Sequence, residues 1–195
     1  MFAALAGLAT GLVHVLSGPD HLAAVAPLSA DPDRPQWRAG LQWGLGHTAG
    51  VMVIGLLLVS IRQALPIESI SAYSERIVGV ALLMVGVWGF ARARRRQPHA
   101  HAAAGASFAM GAVHGLAGSS HLFGVLPALA LPTQLAAFAY LGGFGVGAVI
   151  AMTAFSAIVG AVAVRAKRRG VNAYRGILYA CSLSAVVVGG FWLLA

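Results

Sequence analysis

Five histidines, His14, His21, His47, His114 and His121, and one carboxylate, Asp20, stand inside long apolar stretches of the chain. Imidazole nitrogen and carboxylate oxygen together form a ligand set for divalent transition metals, and nickel, cobalt, copper and zinc all suit it. An aspartate at the centre of a bilayer costs about 2.5–3.5 kcal/mol on insertion scales, so Asp20 is expected to face a cavity or a partner rather than lipid. Hydrogen-bonded structural histidines are the plainer reading of any single ring. Five of them with one acid, two pairs of them recurring as a repeat, favour metal transit. His99 and His101 follow an arginine run in Gln97-Pro98-His99-Ala100-His101. A polar loop accounts for them, and collection of metal ions is the functional alternative, because His-rich tracts bind metal.

The surroundings of Asp20 indicate how it is housed. In Ser17-Gly18-Pro19-Asp20-His21, Gly18 and Pro19 interrupt a helix, Pro19 suits the first position of a restarted one, and Asp20 then meets the positive end of its dipole. On an unbroken helix His14 and His21 would share a face about 10 Å apart along the axis. Two nitrogens on one ion lie within about 4 Å of each other. A break either brings the two rings together or leaves each to a different step of a pathway, and the spacing alone does not choose. His47, in Trp43-Gly44-Leu45-Gly46-His47-Thr48, would complete such a site from the following span.

The segment 11–27, GLVHVLSGPDHLAAVAP, returns at 111–127 as GAVHGLAGSSHLFGVLP, with nine identities in 17 positions that include both histidines. A weaker echo pairs Ala39, Trp43, Gly46 and Gly50 with Ala136, Tyr140, Gly143 and Gly147. The copies are not equivalent, since Asp20 meets Ser120 and His47 falls near Phe144. The tighter site is therefore expected in the first half, with His114 and His121 as a weaker relay or a structural remnant. Glycines four apart, at Gly7/Gly11, Gly46/Gly50, Gly111/Gly115 and Gly143/Gly147, allow close helix approach and carry no chemistry of their own.

These residues must be positioned by membrane-spanning helices. The chain has 195 residues, 59% hydrophobic and 9% charged, and its mean hydropathy is +0.83. A soluble domain carries about a quarter charged residues, so an ordinary cytosolic domain and a disordered chain are excluded. Cys181 is the single cysteine and has no internal disulfide partner. About 20 apolar residues make one span, and the sequence reads as six, near 2–28, 41–61, 73–91, 104–130, 135–164 and 174–194. The first is read as a span rather than a cleaved signal peptide, because no Lys or Arg precedes Arg34. The fold expected is an all-α integral membrane domain over 1–195. Repeat 1 covers about 1–91, a basic loop 92–103, and repeat 2 about 104–195. With three spans between the copies, the second is inverted relative to the first, and the first and fourth helices are broken. Inverted repeats with broken helices meeting at mid-membrane are the architecture of secondary transporters.

The formal charge of +8 comes from the loops. Arg34 and Arg38 follow span one. Arg92, Arg94, Arg95 and Arg96 follow span three, and Arg165, Lys167, Arg168, Arg169 and Arg175 follow span five. Only Arg62 and Arg76 fall on the other side. The positive-inside bias puts the three basic loops in the cytoplasm and both termini outside the cell's inner membrane. Nucleic acid is not an expected partner of charge so distributed.

The motif His14-x-x-x-Gly18-x-Asp20-His21, followed by Trp43-Gly44-Leu45-Gly46-His47-Thr48, resembles the nickel/cobalt permease superfamily, nearest its urease-accessory-type branch of small six-span proteins. The resemblance implies roles in selecting and moving Ni²⁺ or Co²⁺ for His14, Asp20, His21 and His47. Five residues separate His14 from Asp20-His21 where the larger members have four, and Val15 stands where hydrogenase-accessory relatives usually have proline. Both departures bear on which metal is preferred.

The function expected is thus transmembrane transport of a divalent metal ion, nickel or cobalt first, with no permanently bound cofactor. An intramembrane zinc-dependent hydrolase, with Asp20 and histidines activating water, is the enzymatic alternative, although the chain has no HExxH. Haem held by paired histidines is a third reading, and a Soret band would reveal it. The partners implied are the ion, the bilayer, maturation proteins of metal-dependent enzymes and a second copy of the chain.

Overall fold

The computed structural model describes residues 1–31, 33–60, 67–94, 105–117 and 120–194, with the side chains of 58–60, 67–79, 120–123, 192 and 194 outside the described part. Among the described residues there are eight helices and no strand: α1 (Phe2–Ser17), α2 (Pro19–Ser29), α3 (Arg38–Ser60), α4 (Ile67–Arg94), α5 (Ala106–Ala117), α6 (Ser120–Ala130), α7 (Gln134–Arg169) and α8 (Val171–Leu194).

The break at Gly18 follows from local chemistry. The Gly18 N–H closes α1 on the His14 carbonyl at 3.1 Å, and its own carbonyl accepts from His21 N at 3.2 Å, so one residue ends one helix and begins the next. Pro19, at the start of α2, has no N–H to leave unsatisfied. The two helix axes turn by 73°. At the other extreme, α7 runs for 36 residues, about 54 Å at the α-helical rise, well beyond a hydrocarbon core of about 30 Å. Thr133 caps it by accepting from Ala136 N at 3.1 Å. It ends on Lys167, Arg168 and Arg169 before Gly170, whose φ of +129° favours glycine.

α7 and α8 are long and apolar enough to cross a membrane, and the bent pair α1–α2 makes a third if it counts as one span. Of the six spans the sequence reads, two, or three with the bent pair, are marked by length and composition among the described residues. The expected second span lies in α3 and the third in α4, part of whose side chains lie outside the described residues. The fourth is divided between α5 and α6 at residues 118–119, which lie outside the described residues. The burial pattern suits lipid. Val13, Leu16, Met84, Val87 and Val187 are largely exposed, while Asp20, His21, His47 and His114 are buried.

Small residues set the packing. α1 lies along α7, and α5 lies along α3. A β-carbon on Gly7 or Gly11 would strike the backbone of Tyr140 or Phe144, and one on Gly143 or Gly147 that of Ala4 or Leu8. The other pair repeats the pattern: Gly111 and Gly115 sit against the backbone of Trp43 and His47, and Gly46 and Gly50 against Phe108 and Ala112. Each contact joins a helix of one repeat copy to a helix of the other. α3 also packs on α7, and α4 on α8. Val15, Ala24, Trp43, Ala148 and Met152 belong to the core cluster around the break.

α4 continues through Arg94, so the first residues of the basic segment expected as a loop from 92 are helical. Arg92 is 2% exposed. It stands 3.4 Å from Asp31, which follows α2, and donates to the Tyr174 hydroxyl at 3.2 Å, while that hydroxyl donates to Ala30 O at 2.9 Å. A charge read from the sequence as an orientation signal is here a buried clamp joining the ends of α2, α4 and α8. Nearby, Ser156 Oγ accepts from Ser29 Oγ at 2.8 Å and from Gly40 N at 3.0 Å, and donates to Gln36 O at 2.7 Å.

Candidate metal centre

Four helices deliver the polar groups. His14 comes from the last turn of α1, Asp20 and His21 from the first turn of α2, His47 from the middle of α3 and His114 from the last turn of α5. The bend at Gly18 folds α2 back so that the His14 and His21 rings, distant on a straight helix, meet edge to face with centroids 4.5 Å apart. His47 lies 5.0 Å from His21 and 5.9 Å from His14. His114 lies 4.8 Å from His21.

Asp20 joins the two repeat copies. Its Oδ1 is 3.0 Å from His21 Nδ1, and its Oδ2 is 3.0 Å from His114 Nε2. Both hydrogen bonds are buried, which makes them strong and costly to leave unmade. Gly18 is required by this approach, because a β-carbon there would collide with His21 Nδ1 and lie 2.9 Å from Asp20 Oδ1.

Two overlapping sets of donors result. One atom each from His14, His21 and His47 lie within 4.8 Å of one another, and so do one atom each from Asp20, His21 and His114. Three ligands that share one ion by bonds of about 2 Å stand about 3.3–3.5 Å apart, so either set closes on an ion with a contraction of at most about 1.5 Å. The set is chemically suited to a borderline transition metal. Aromatic walls surround it. Trp43 stacks on His47 at 5.1 Å and 14°, and also lies 5.1 Å from His114. Phe144 lies 5.2 Å from His14. Of the ligand candidates only His14 is partly exposed; His21 and His47 are 0% exposed, and Asp20 and His114 2%.

The structure thus brings together His14, Asp20, His21 and His47, and adds His114 to the same cluster. The side chain of His121 lies outside the described residues, as do His99 and His101. Trp43 and Phe144 were visible in the sequence as a motif residue and as the counterpart of His47; their role as walls depends on helix crossings that no local pattern reveals.

Comparison with known proteins finds relatives in a plant and in a bacterium. The chain is 36% identical over 200 residues to "Chloroplast protein FOR GROWTH AND FERTILITY 2" of Arabidopsis thaliana, covering 94% of this chain and 54% of that protein. It is equally 36% identical over 206 residues to "Chloroplast protein FOR GROWTH AND FERTILITY 1" of the same plant, over 94% and 56% respectively. The chain therefore spans about half the length of these plant relatives. It is also 25% identical over 173 residues to "Urease accessory protein UreH" of Bacillus sp. (strain TB-90), over 79% of this chain and 74% of that protein. No family model matches the chain, and no solved structure matches it. A helical membrane protein with similarity to a urease accessory protein is the class these findings define.

Proposed function

We propose that this protein carries a divalent transition-metal ion, nickel or cobalt first, across a membrane through the His/Asp cluster, as a non-enzymatic permease. The observation that carries the reading is the convergence of four imidazoles and one carboxylate from four helices, walled by apolar side chains. A bare ion cannot cross lipid, and ions shed part of their water only where protein donors replace it. Similarity to a urease accessory protein points to nickel among the metals that imidazole suits. The helices are read as a 3+3 inverted repeat, supported by the reciprocal contacts of α1 with α7 and of α5 with α3. His14, Asp20, His21 and His47 are the proposed ligands, and His114 joins them.

The test is accumulation of radioactive nickel in a host lacking its own nickel transporters, with export scored from preloaded cells and cobalt, zinc and copper as competitors. The expected result is a change in cellular nickel relative to a His21→Ala control at equal membrane abundance. No change with any of the four metals, in either direction, would remove the reading. An intramembrane zinc hydrolase would instead keep stoichiometric zinc through purification in chelator, which a transport site is expected to release.

A further inference from the structure

We infer that the cluster is not one ion site but two overlapping stations that share His21, so that a single ion is handed from a station built by the first repeat copy to one that His114 of the second copy completes. The inference rests on the transport reading and adds its internal route. The first station is His14, His21 and His47, and the second is Asp20, His21 and His114. His21 is the only residue common to both. The other donors fall into one group or the other: His47 and His114 lie 5.0 and 4.8 Å from the shared ring and 5.9 Å from each other, so the two stations adjoin.

Access separates the stations. His14 is partly exposed, so the first station has an approach; Asp20, His21 and His114 are all buried, so the second is reached through the first. Charge separates them too. Three neutral imidazoles contribute no formal charge to the first station. The second supplies a carboxylate, which holds a dication more strongly after further water is lost.

Asp20 has a different task in each state. With the ion in the first station, Asp20 accepts from the His21 Nδ1 hydrogen at 3.0 Å and orients the ring, whose lone pair is then on Nε2. With the ion in the second, its oxygens and the two nitrogens that now share hydrogens with them face the metal instead. Each imidazole then gives up the hydrogen on its metal-facing nitrogen and takes one on the opposite nitrogen, by exchange with water that the ion sheds, so the proton count of the site is unchanged. A residue shared by both stations also forbids double occupancy, which fits a carrier that moves one ion per cycle.

The experiment is equilibrium binding of Ni²⁺ and Co²⁺ to the purified full chain in detergent, paired with uptake at matched abundance, for parent, His21→Gln, His47→Gln, His114→Gln and the double variant His47→Gln/His114→Gln. One ion per parent chain is expected. His47→Gln and His114→Gln should each still bind one ion, within about tenfold of parent affinity, yet lose at least tenfold in transport. His21→Gln and the double variant should lose binding at least a hundredfold. If His114→Gln or His47→Gln loses binding as completely as His21→Gln, the cluster is a single site and the inference is overturned. If His114→Gln both binds and transports like the parent, the second station does not exist. A parent that neither binds nor moves any ion would instead remove the transport reading itself. Where a glutamine variant fails to accumulate, the Co²⁺ absorption spectrum of the parent decides: two overlapping band sets, one from nitrogen donors and one including carboxylate, are expected, and one set alone overturns the two stations.

Discussion

At the scale of single residues, Asp20 has the most to reveal, because it contacts both copies of the repeat. Its carboxylate holds His21 and His114 at 3.0 Å each. In Asp20→Asn one oxygen remains to accept, and the amide donates in place of the second, so the shape is kept while the charge is lost. Two unit charges 4 Å apart interact by about 4 kcal/mol at an effective dielectric of 20, and a dication that loses this partner is held much less well. Removing the charge also removes the insertion cost of a buried acid. The expected outcome is parent-level abundance in the membrane, measured by immunoblot, with metal transport down at least about tenfold. Parent-like transport in Asp20→Asn would show that the carboxylate does not serve the ion. Much of this could be read before any coordinates. His14, Asp20, His21 and His47 stand out because polar groups in apolar stretches need a reason. His114 was visible as a copy of His14 but not as a neighbour of Asp20, since 94 residues separate them and only the crossing of α5 over α3 closes that gap.

At the scale of the helix, the adjacent pair Gly142 and Gly143 separates packing from propensity. Both lie in α7. A β-carbon on Gly143 would press on the carbonyl of Ala4 in α1, whereas one on Gly142 meets nothing within 4 Å. Backbone cannot yield as a flexible side chain can, so Gly143→Ala is expected to separate α1 from α7 and to destabilise by about 1–3 kcal/mol. Gly142→Ala gains helix propensity, about 0.5–1 kcal/mol, with no collision. Thermal unfolding in detergent should therefore fall for Gly143→Ala and hold or rise for Gly142→Ala; equal behaviour would mean that α1 and α7 do not pack as described. The glycine spacing announced close approach in the sequence, but not the partners. It was equally compatible with packing within one half, and the crossed pairing of α1 with α7 and α5 with α3 is what aligns His14 and His114 with the same centre. The break at Gly18 was legible for a firmer reason. A glycine followed by proline cannot continue an ordinary helix, and the 73° turn is the physical consequence.

At the scale of the whole molecule, charge and burial together bear on how the chain lies in the bilayer. Arg38, Arg94, Arg165, Lys167 and Arg169 gather at one end of the helices that carry them, with Lys167 paired to Asp33 at 2.7 Å. Arg92 belongs to that end but not to its surface. It is held by Asp31 and Tyr174, a burial invisible in a count of loop charges because a run of arginines reads alike whether each is solvated or clamped. Removing it from the tally leaves the bias intact, since the remaining basic residues still outnumber Arg62 and Arg76, which the sequence assigns to the opposite side. On the positive-inside rule the Arg169 end is expected in the cytoplasm and the amino terminus outside. Single cysteines introduced at Phe2 and at Arg169 in a Cys181→Ser background test this directly. Phe2 is 84% exposed and Arg169 is also exposed, so a thiol at either can reach an impermeant maleimide. In intact cells only the Phe2→Cys chain should be labelled, and the Arg169→Cys chain only after the membrane is opened. The reverse pattern would turn the molecule over. The partly exposed His14, three residues from the end of α1, would then be approached from the opposite compartment to the one this orientation implies.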